Sequence, residues 1–300
     1  LVGSEMCIRD SVWVGAVALA LSGTFLVRYA VDQGWLGPAV RVLLGTFLGV
    51  ALLAAGERLR RVPRIGSALS AAGVAALFAS FYAAASLYHL IPAVVGFVLL
   101  GLTAAAGVAL SLRQGPLVAV VGLIGGYLTP ILIQSDAAPG PALFAYLLLL
   151  LTAMLTVTDR RGWWGLSTGS MAAGLLWVLL LLAQVRGRED ALWPGLFVLA
   201  SLALFVFTAL RSGSAAAISE PSAIARLPVL PLYVALSGSL LAQMALAART
   251  DFGIQEWLFL GLLGAAALLL GRLREPLAPL AWLGAGLTGL LLLVWGAGLE

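Results

Sequence analysis

The chain has 300 residues, of which 62% are hydrophobic and only 10% charged. A soluble domain of this length carries about 25% charged residues, so a water-soluble fold is excluded, and the apolar runs are long enough to cross a hydrocarbon core of about 30 Å. The formal charge of +4 does not point to nucleic acid, because the basic residues fall in short gaps between apolar runs, where topology requires them.

The class that follows is an all-α, polytopic integral membrane helix bundle. A β-barrel would show alternating polarity over stretches of about ten residues, and none is present. All 17 basic residues are arginine. The single cysteine, Cys7, rules out an intramolecular disulfide. The opening residues 1–11, "LVGSEMCIRDS", have no membrane period. They resemble translated sequencing-adaptor read-through and are set aside as a non-native scar, with a genuine polar tail as the alternative. Residues 12–300 are expected to form one multi-span domain, a fragment of a longer protein.

In chain order, eleven spans are predicted, at residues 12–31, 38–56, 67–87, 91–112, 116–133, 141–158, 166–183, 191–210, 228–248, 257–270 and 277–299. With a cytoplasmic N-terminus, the inner gaps hold Arg58, Arg60, Arg61, Arg64, Arg113, Arg160, Arg161, Arg211, Arg226, Arg272 and Arg274. The outer gaps hold Arg28, Arg41, Arg186, Arg188 and Arg249. This is the asymmetry of the positive-inside rule, strongest at "ERLRRVPR". Trp35, Trp163, Trp164, Trp193 and Trp257 fall at span ends, whereas Trp177 and Trp282 lie inside spans and read as packing residues. Gly45 and Gly49 share a face of the second span. Ala72, Ala76, Ala79 and Ala83 form a small-residue stripe on the third, which is expected to be central. A parallel duplication of "LLGTFLGVALLAAGERLRR" as "LFLGLLGAAALLLGRLREP" is open, although apolar helices ending in arginine resemble one another in any case.

Residues that could carry chemistry are few. Arg28 and Asp32 are four apart and can pair on one helical face. They read either as an intramembrane functional pair or as an interfacial pair closing a short hairpin through Gly34 and Pro38. His89, in "YHLIP", is the sole histidine. One histidine cannot build a metal site, so it is either an interfacial acid–base group or a turn residue. Ser239 and Gln243 are expected to hydrogen-bond to neighbouring helices. No catalytic residue, metal site or cofactor is assigned.

The best site candidate is "GLIGGYLTPILIQSD", residues 122–136. Pro130 has no N–H and crowds the carbonyl four residues earlier, which belongs to Gly126, a residue with no side chain to obstruct relief. Thr129 can return its hydroxyl to the carbonyl of Gly125. Backbone exposed at such depth is tolerated only against protein or in a water-lined cavity. The segment therefore reads either as a kinked or re-entrant lining of an outward-facing cavity, with Asp136 at its mouth, or as a packing kink.

The blocks "FLVRYAVDQGWLGPAVRVLLGTFLGVALLAAGERLRR", "YHLIP", "GLIGGYLTPILI" and "ALFAYLLLLLTAMLTV" resemble a bacterial family of predicted membrane proteins, domain of unknown function 2339. The resemblance is clearest over residues 12–183. It implies a multi-span inner-membrane protein with no established activity or catalytic residues, whose members often carry a charged N-terminal region before the first span. Three functions remain open, with transport or a channel-like role preferred. The others are a membrane enzyme acting on lipid-linked or envelope glycans and a non-catalytic scaffold. The expected partners are the lipid bilayer and either other membrane proteins or further copies of the chain, with no nucleic acid.

Overall fold

The computed structural model describes residues 37–132, 141–183, 185, 188–217, 229–250 and 253–273, with single positions at 18, 22, 25, 278, 279, 282, 286 and 289. Among the described residues every regular element is a helix. In chain order these are α1 (Pro38–Arg58), α2 (Pro63–Tyr82) running into a π-helical turn (Ala83–Leu87), α3 (Ala93–Gln114) and α4 (Pro116–Leu132). They continue as α5 (Pro141–Arg161), α6 (Trp164–Leu181), α7 (Arg188–Ala217), α8 (Val229–Arg249) and α9 (Ile254–Leu273). Among the described residues eight helical stretches, α2 with its π turn counting as one, are long and apolar enough to cross a membrane, and α4 is a shorter apolar helix. The predicted first and last spans fall almost entirely outside the described residues.

The helix boundaries follow from local chemistry. α1, α2, α4 and α5 each begin at a proline. At that position the missing N–H has no intrahelical partner to lose, and the fixed φ suits the helix. α3 ends at Gly115 with φ 110° and α5 is followed by Gly162 with φ 71°, left-handed values that favour glycine. Arginines occupy the last turns of α1, α3, α5, α8 and α9, where a cation complements the negative end of the helix. Several helices therefore run beyond the predicted spans. α5 continues through Arg161 rather than stopping near 158, and α7 continues through Ala217 rather than stopping near 210. The long arginine stem lets the charge reach the interface while the backbone ladder persists.

The helices pack in two groups. In the first, α2 touches α1, α3 and α4. Its contact with α1 is backbone to backbone: a Cβ built on Gly73 would stand 2.8 Å from the Gly49 carbonyl oxygen. Gly45 and Gly49 do face α2. The alanine stripe serves the packing only in part: Ala72 and Ala79 are exposed, Ala76 and Ala83 are half-buried, and the buried face of α2 includes Ser70, Ala71, Gly73, Val74, Leu77, Phe78 and Ser80. Without a hydrophobic drive between helices in lipid, the closest steric fit selects the interface, and glycine approaches more closely than alanine. In the second group α5–α9 enclose Phe197, Phe205, Leu232, Leu236, Leu240 and Leu246, all essentially fully buried. Contacts of α3 with α5 and of α4 with α5 and α6 join the groups, and Leu100, Leu147, Leu151 and Met154 are buried between them. Outward-facing leucine, valine and phenylalanine cover the remaining surface, as on α1 at Leu43, Leu44 and Phe47. Trp282, expected to pack, is instead 80% exposed.

One end of the bundle is rich in arginine. There Glu57 receives a hydrogen bond from Gln114 Nε2 at 2.9 Å and ion pairs from Arg60 at 3.2 Å and Arg113 at 3.9 Å, while Arg161 donates to the Leu112 carbonyl. These contacts tie the ends of α1, α3 and α5 together. Exposed ion pairs of this kind contribute about 0–1 kcal/mol each.

Candidate functional site

The described helix α4 carries Pro130 inside its last turn. Proline removes the N–H that would bond to the carbonyl of Gly126, and that carbonyl receives the phenolic hydroxyl of Tyr146, on α5, at 3.0 Å. Thr129 is fully buried, and its Oγ1 donates to the Gly125 carbonyl at 2.8 Å. Trp177 on α6 donates its indole N–H to the carbonyl of Tyr127 at 3.0 Å. The Tyr127 hydroxyl in turn lies 2.9 Å from Ser170 Oγ.

The space beside the glycine pair is filled as well. A Cβ at Gly125 would collide with the ring of Phe78, and one at Gly126 would stand 3.1 Å from Leu150 and 3.2 Å from Ala104. The loosened backbone is thus held by side chains from four other helices, α2, α3, α5 and α6. Asp136, proposed for the mouth of a cavity here, and the Arg28–Asp32 pair lie outside the described residues.

Beyond Pro130, a cavity of about 860 Å³ opens at the end of the bundle opposite the arginine-rich turn. Its lining includes Tyr82, Ser86, His89, Pro92, Ile131 and Leu132. Two departures from regular helix shape it. The π turn widens the end of α2, closing with Tyr88 N–H to the Ala83 carbonyl at 2.8 Å. π turns inside helices occur frequently at functional sites. Ser86 Oγ then donates to the Leu132 carbonyl at 2.9 Å, which fixes the π turn against the end of α4.

His89 follows with φ 49°, a left-handed conformation that a non-glycine residue adopts only when its surroundings impose it. The turn is held from the other side by Arg41, whose guanidinium donates to the Tyr88 hydroxyl at 3.2 Å and stands 5.8 Å from the ring centre. His89 is exposed at the rim. Chemically, the cavity offers apolar walls with two hydroxyls and one imidazole. Among the described residues no group of three or more His, Cys, Asp or Glu side chains is placed to hold a metal ion.

The family comparison agrees with this architecture. The family model described as "Predicted membrane protein (DUF2339)" matches residues 9–297. The chain belongs to that family. The family's description gives a membrane location and no activity. No curated protein and no solved structure matches the chain. For this member of DUF2339 the site must therefore be argued from its own residues. Sequence reading did not find Phe78, Ser86 and Tyr146, and it read Trp177 as packing without its hydrogen bond. Ser86, Tyr146 and Trp177 each donate to a backbone carbonyl of another helix and Phe78 packs beside Gly125; nothing local in the sequence announces these roles.

Proposed function

We propose that the chain is a protein of the bacterial inner membrane with a cytoplasmic N-terminus and about eleven spans. It admits a small, largely apolar solute to an outward-facing cavity as a step in transport. The observation that carries this reading is the coincidence of two helix irregularities, the π turn of Ala83–Leu87 and the proline-interrupted end of α4, on the wall of one cavity of about 860 Å³. Transporters place interrupted helices where backbone groups meet a substrate or ion, and ligand sites are mostly apolar with a few placed polar groups. By span order Arg28, Asp32 and Asp136 belong to the same end of the bundle, where they would supply the charge that the described lining lacks.

The test is a ligand screen by thermal shift on the purified protein, followed by uptake of any hit into proteoliposomes. Uptake is expected to fall at least roughly tenfold, about 1.4 kcal/mol, in Ser86→Ala, Arg28→Ala and Asp32→Ala. Wild-type uptake rates in all three variants would overturn the reading.

One observation favours a scaffold instead. The Gly126 carbonyl, the group best placed to meet a solute at depth, is already satisfied by Tyr146. A membrane enzyme acting on lipid-linked or envelope glycans would need a positioned acid and base in reach of its substrate. The described lining of the cavity provides His89 and Tyr82 and no carboxylate.

A further inference from the structure

A second cavity lies at the arginine-rich end of the bundle. It measures about 630 Å³ and is lined by Ala54, Glu57, Arg58, Arg60 and Arg61. Ala54, Glu57 and Arg58 belong to the last two turns of α1, and Arg60 and Arg61 to the turn that leads into α2. The positive-inside rule accounts for arginines at this end. It does not account for three of them opening onto one hollow.

The lining sets three guanidinium groups against one carboxylate, so positive charge is in excess. That carboxylate is already engaged. Gln114 Nε2 donates to one oxygen of Glu57 at 2.9 Å, and Arg60 and Arg113 stand 3.2 Å and 3.9 Å from the other. Glu57 is thereby neutralised, and Arg60 is held in place beside the hollow. Arg58 and Arg61 are exposed, and neither is ion-paired to a described residue. A guanidinium in this position offers a planar fork of donors that matches the oxygens of a phosphate group.

The surface next to the cavity decides what kind of anion fits. Ala54 lines the cavity and is also exposed on α1. Ala51 and Phe47 continue its face at steps of three and four residues, and both are exposed. Phe47 lies about 17 Å from Arg58 at ~1.5 Å per residue, roughly half of a hydrocarbon core of about 30 Å. Among the long apolar stretches described, α1 has the smallest buried share. An apolar strip one leaflet long therefore leads from the arginines into the lipid. A free anion would use the arginines alone, whereas an anionic headgroup with an acyl chain uses both parts. Basic pockets beside membrane-spanning helices take such headgroups.

We infer that Arg58, Arg60 and Arg61 bind the phosphate of an anionic phospholipid, whose acyl chain lies along Ala54, Ala51 and Phe47 of α1. This inference uses no residue of the cavity at the π turn.

The experiment measures the melting temperature of the purified full chain in a non-ionic detergent. Dioleoyl phosphatidylglycerol, dioleoyl phosphatidylcholine or glycerol phosphate is titrated in at constant ionic strength. The expected result is a saturable rise with phosphatidylglycerol alone, since a ligand that binds only the folded state stabilises it by mass action. Arg58→Gln and Arg61→Gln are each expected to raise the half-saturating concentration roughly fivefold, and the double variant about twenty-five-fold. Both side chains are exposed, so the single variants fold even if the double one does not. Arg249→Gln, which removes an exposed arginine from the last turn of α8, is expected to keep the wild-type response. An equal rise with phosphatidylcholine would overturn the assignment, and an equal rise with glycerol phosphate would replace the lipid by a free anion. Unchanged responses in both single variants, or a loss in Arg249→Gln as large as theirs, would also overturn it.

Discussion

The Tyr146 hydroxyl donates to the carbonyl oxygen of Gly126 at 3.0 Å, from one helix to the next. That carbonyl is the one orphaned by Pro130, so the two residues form a single device. α4 gives up a rung of its ladder and α5 supplies the missing donor. Removing the donor should weaken the bundle measurably, because lipid provides no replacement for an unsatisfied backbone group. Tyr146→Phe is expected to destabilise by about 1 kcal/mol, within the range of interhelical hydrogen bonds in membranes. Pro130→Ala restores the N–H, so in that background the same change should lose roughly half its effect, a coupling that a double-mutant cycle reads directly. Equal losses in the two backgrounds would show that Tyr146 acts by packing alone.

The contact between α1 and α2 makes a sharper steric prediction. A Cβ at Gly73 would approach the Gly49 carbonyl oxygen to 2.8 Å and the Leu53 backbone nitrogen to 3.0 Å. Neither backbone atom can rotate away. Gly73→Ala is expected to destabilise by about 1–3 kcal/mol, the range for overpacking. Gly264→Ala, on α9 with nothing within 4 Å of the added carbon, should stay within about 0.5 kcal/mol. The melting temperatures of the two variants in one detergent decide the point.

How far the sequence disclosed this architecture depended on the distance between partners. The rung that Pro130 removes opposite the Gly126 carbonyl and the Thr129–Gly125 hydrogen bond are readable because all lie within one turn, where helix geometry alone fixes who meets whom. Tyr146 and Trp177 were not readable, because their targets sit on another helix and nothing in their own neighbourhood marks them. Half of the alanine stripe on α2, Ala72 and Ala79, faces outward for a related reason. Small residues at helical spacing suit a packed face and a lipid-facing one equally, and only the partner helix distinguishes them. The π turn carries no composition signal in "AAASL"; it is stabilised by Ser86 reaching Leu132, a contact across 46 positions of sequence.

Orientation can be tested without knowing the activity. In a Cys7→Ser background, and on the proposed orientation, Arg61→Cys at the arginine-rich turn should react with a membrane-impermeant maleimide only after the membrane is opened. His89→Cys at the opposite end should react with the reagent added from outside that membrane. The charge asymmetry sets this expectation, and the reverse labelling pattern would invert the bundle and move the cavity to the cytoplasmic face.

His89 allows backbone and imidazole to be separated. Its φ of 49° is inexpensive for glycine and unfavourable for a β-branched residue. If the residue serves only the turn, His89→Gly should match or exceed wild-type stability by up to about 1 kcal/mol, and His89→Val should lose about 1–3 kcal/mol through strain. If the imidazole also meets a solute in the adjoining cavity, His89→Gly should keep that stability and yet lose the thermal shift produced by whichever compound stabilises the wild type. A glycine variant with full stability and a full ligand response would assign His89 to the turn and leave recognition to the hydroxyls of Ser86 and Tyr82. Loss of both stability and response would mean that the imidazole itself secures the loop between the π turn and α3, on which the shape of the cavity rests.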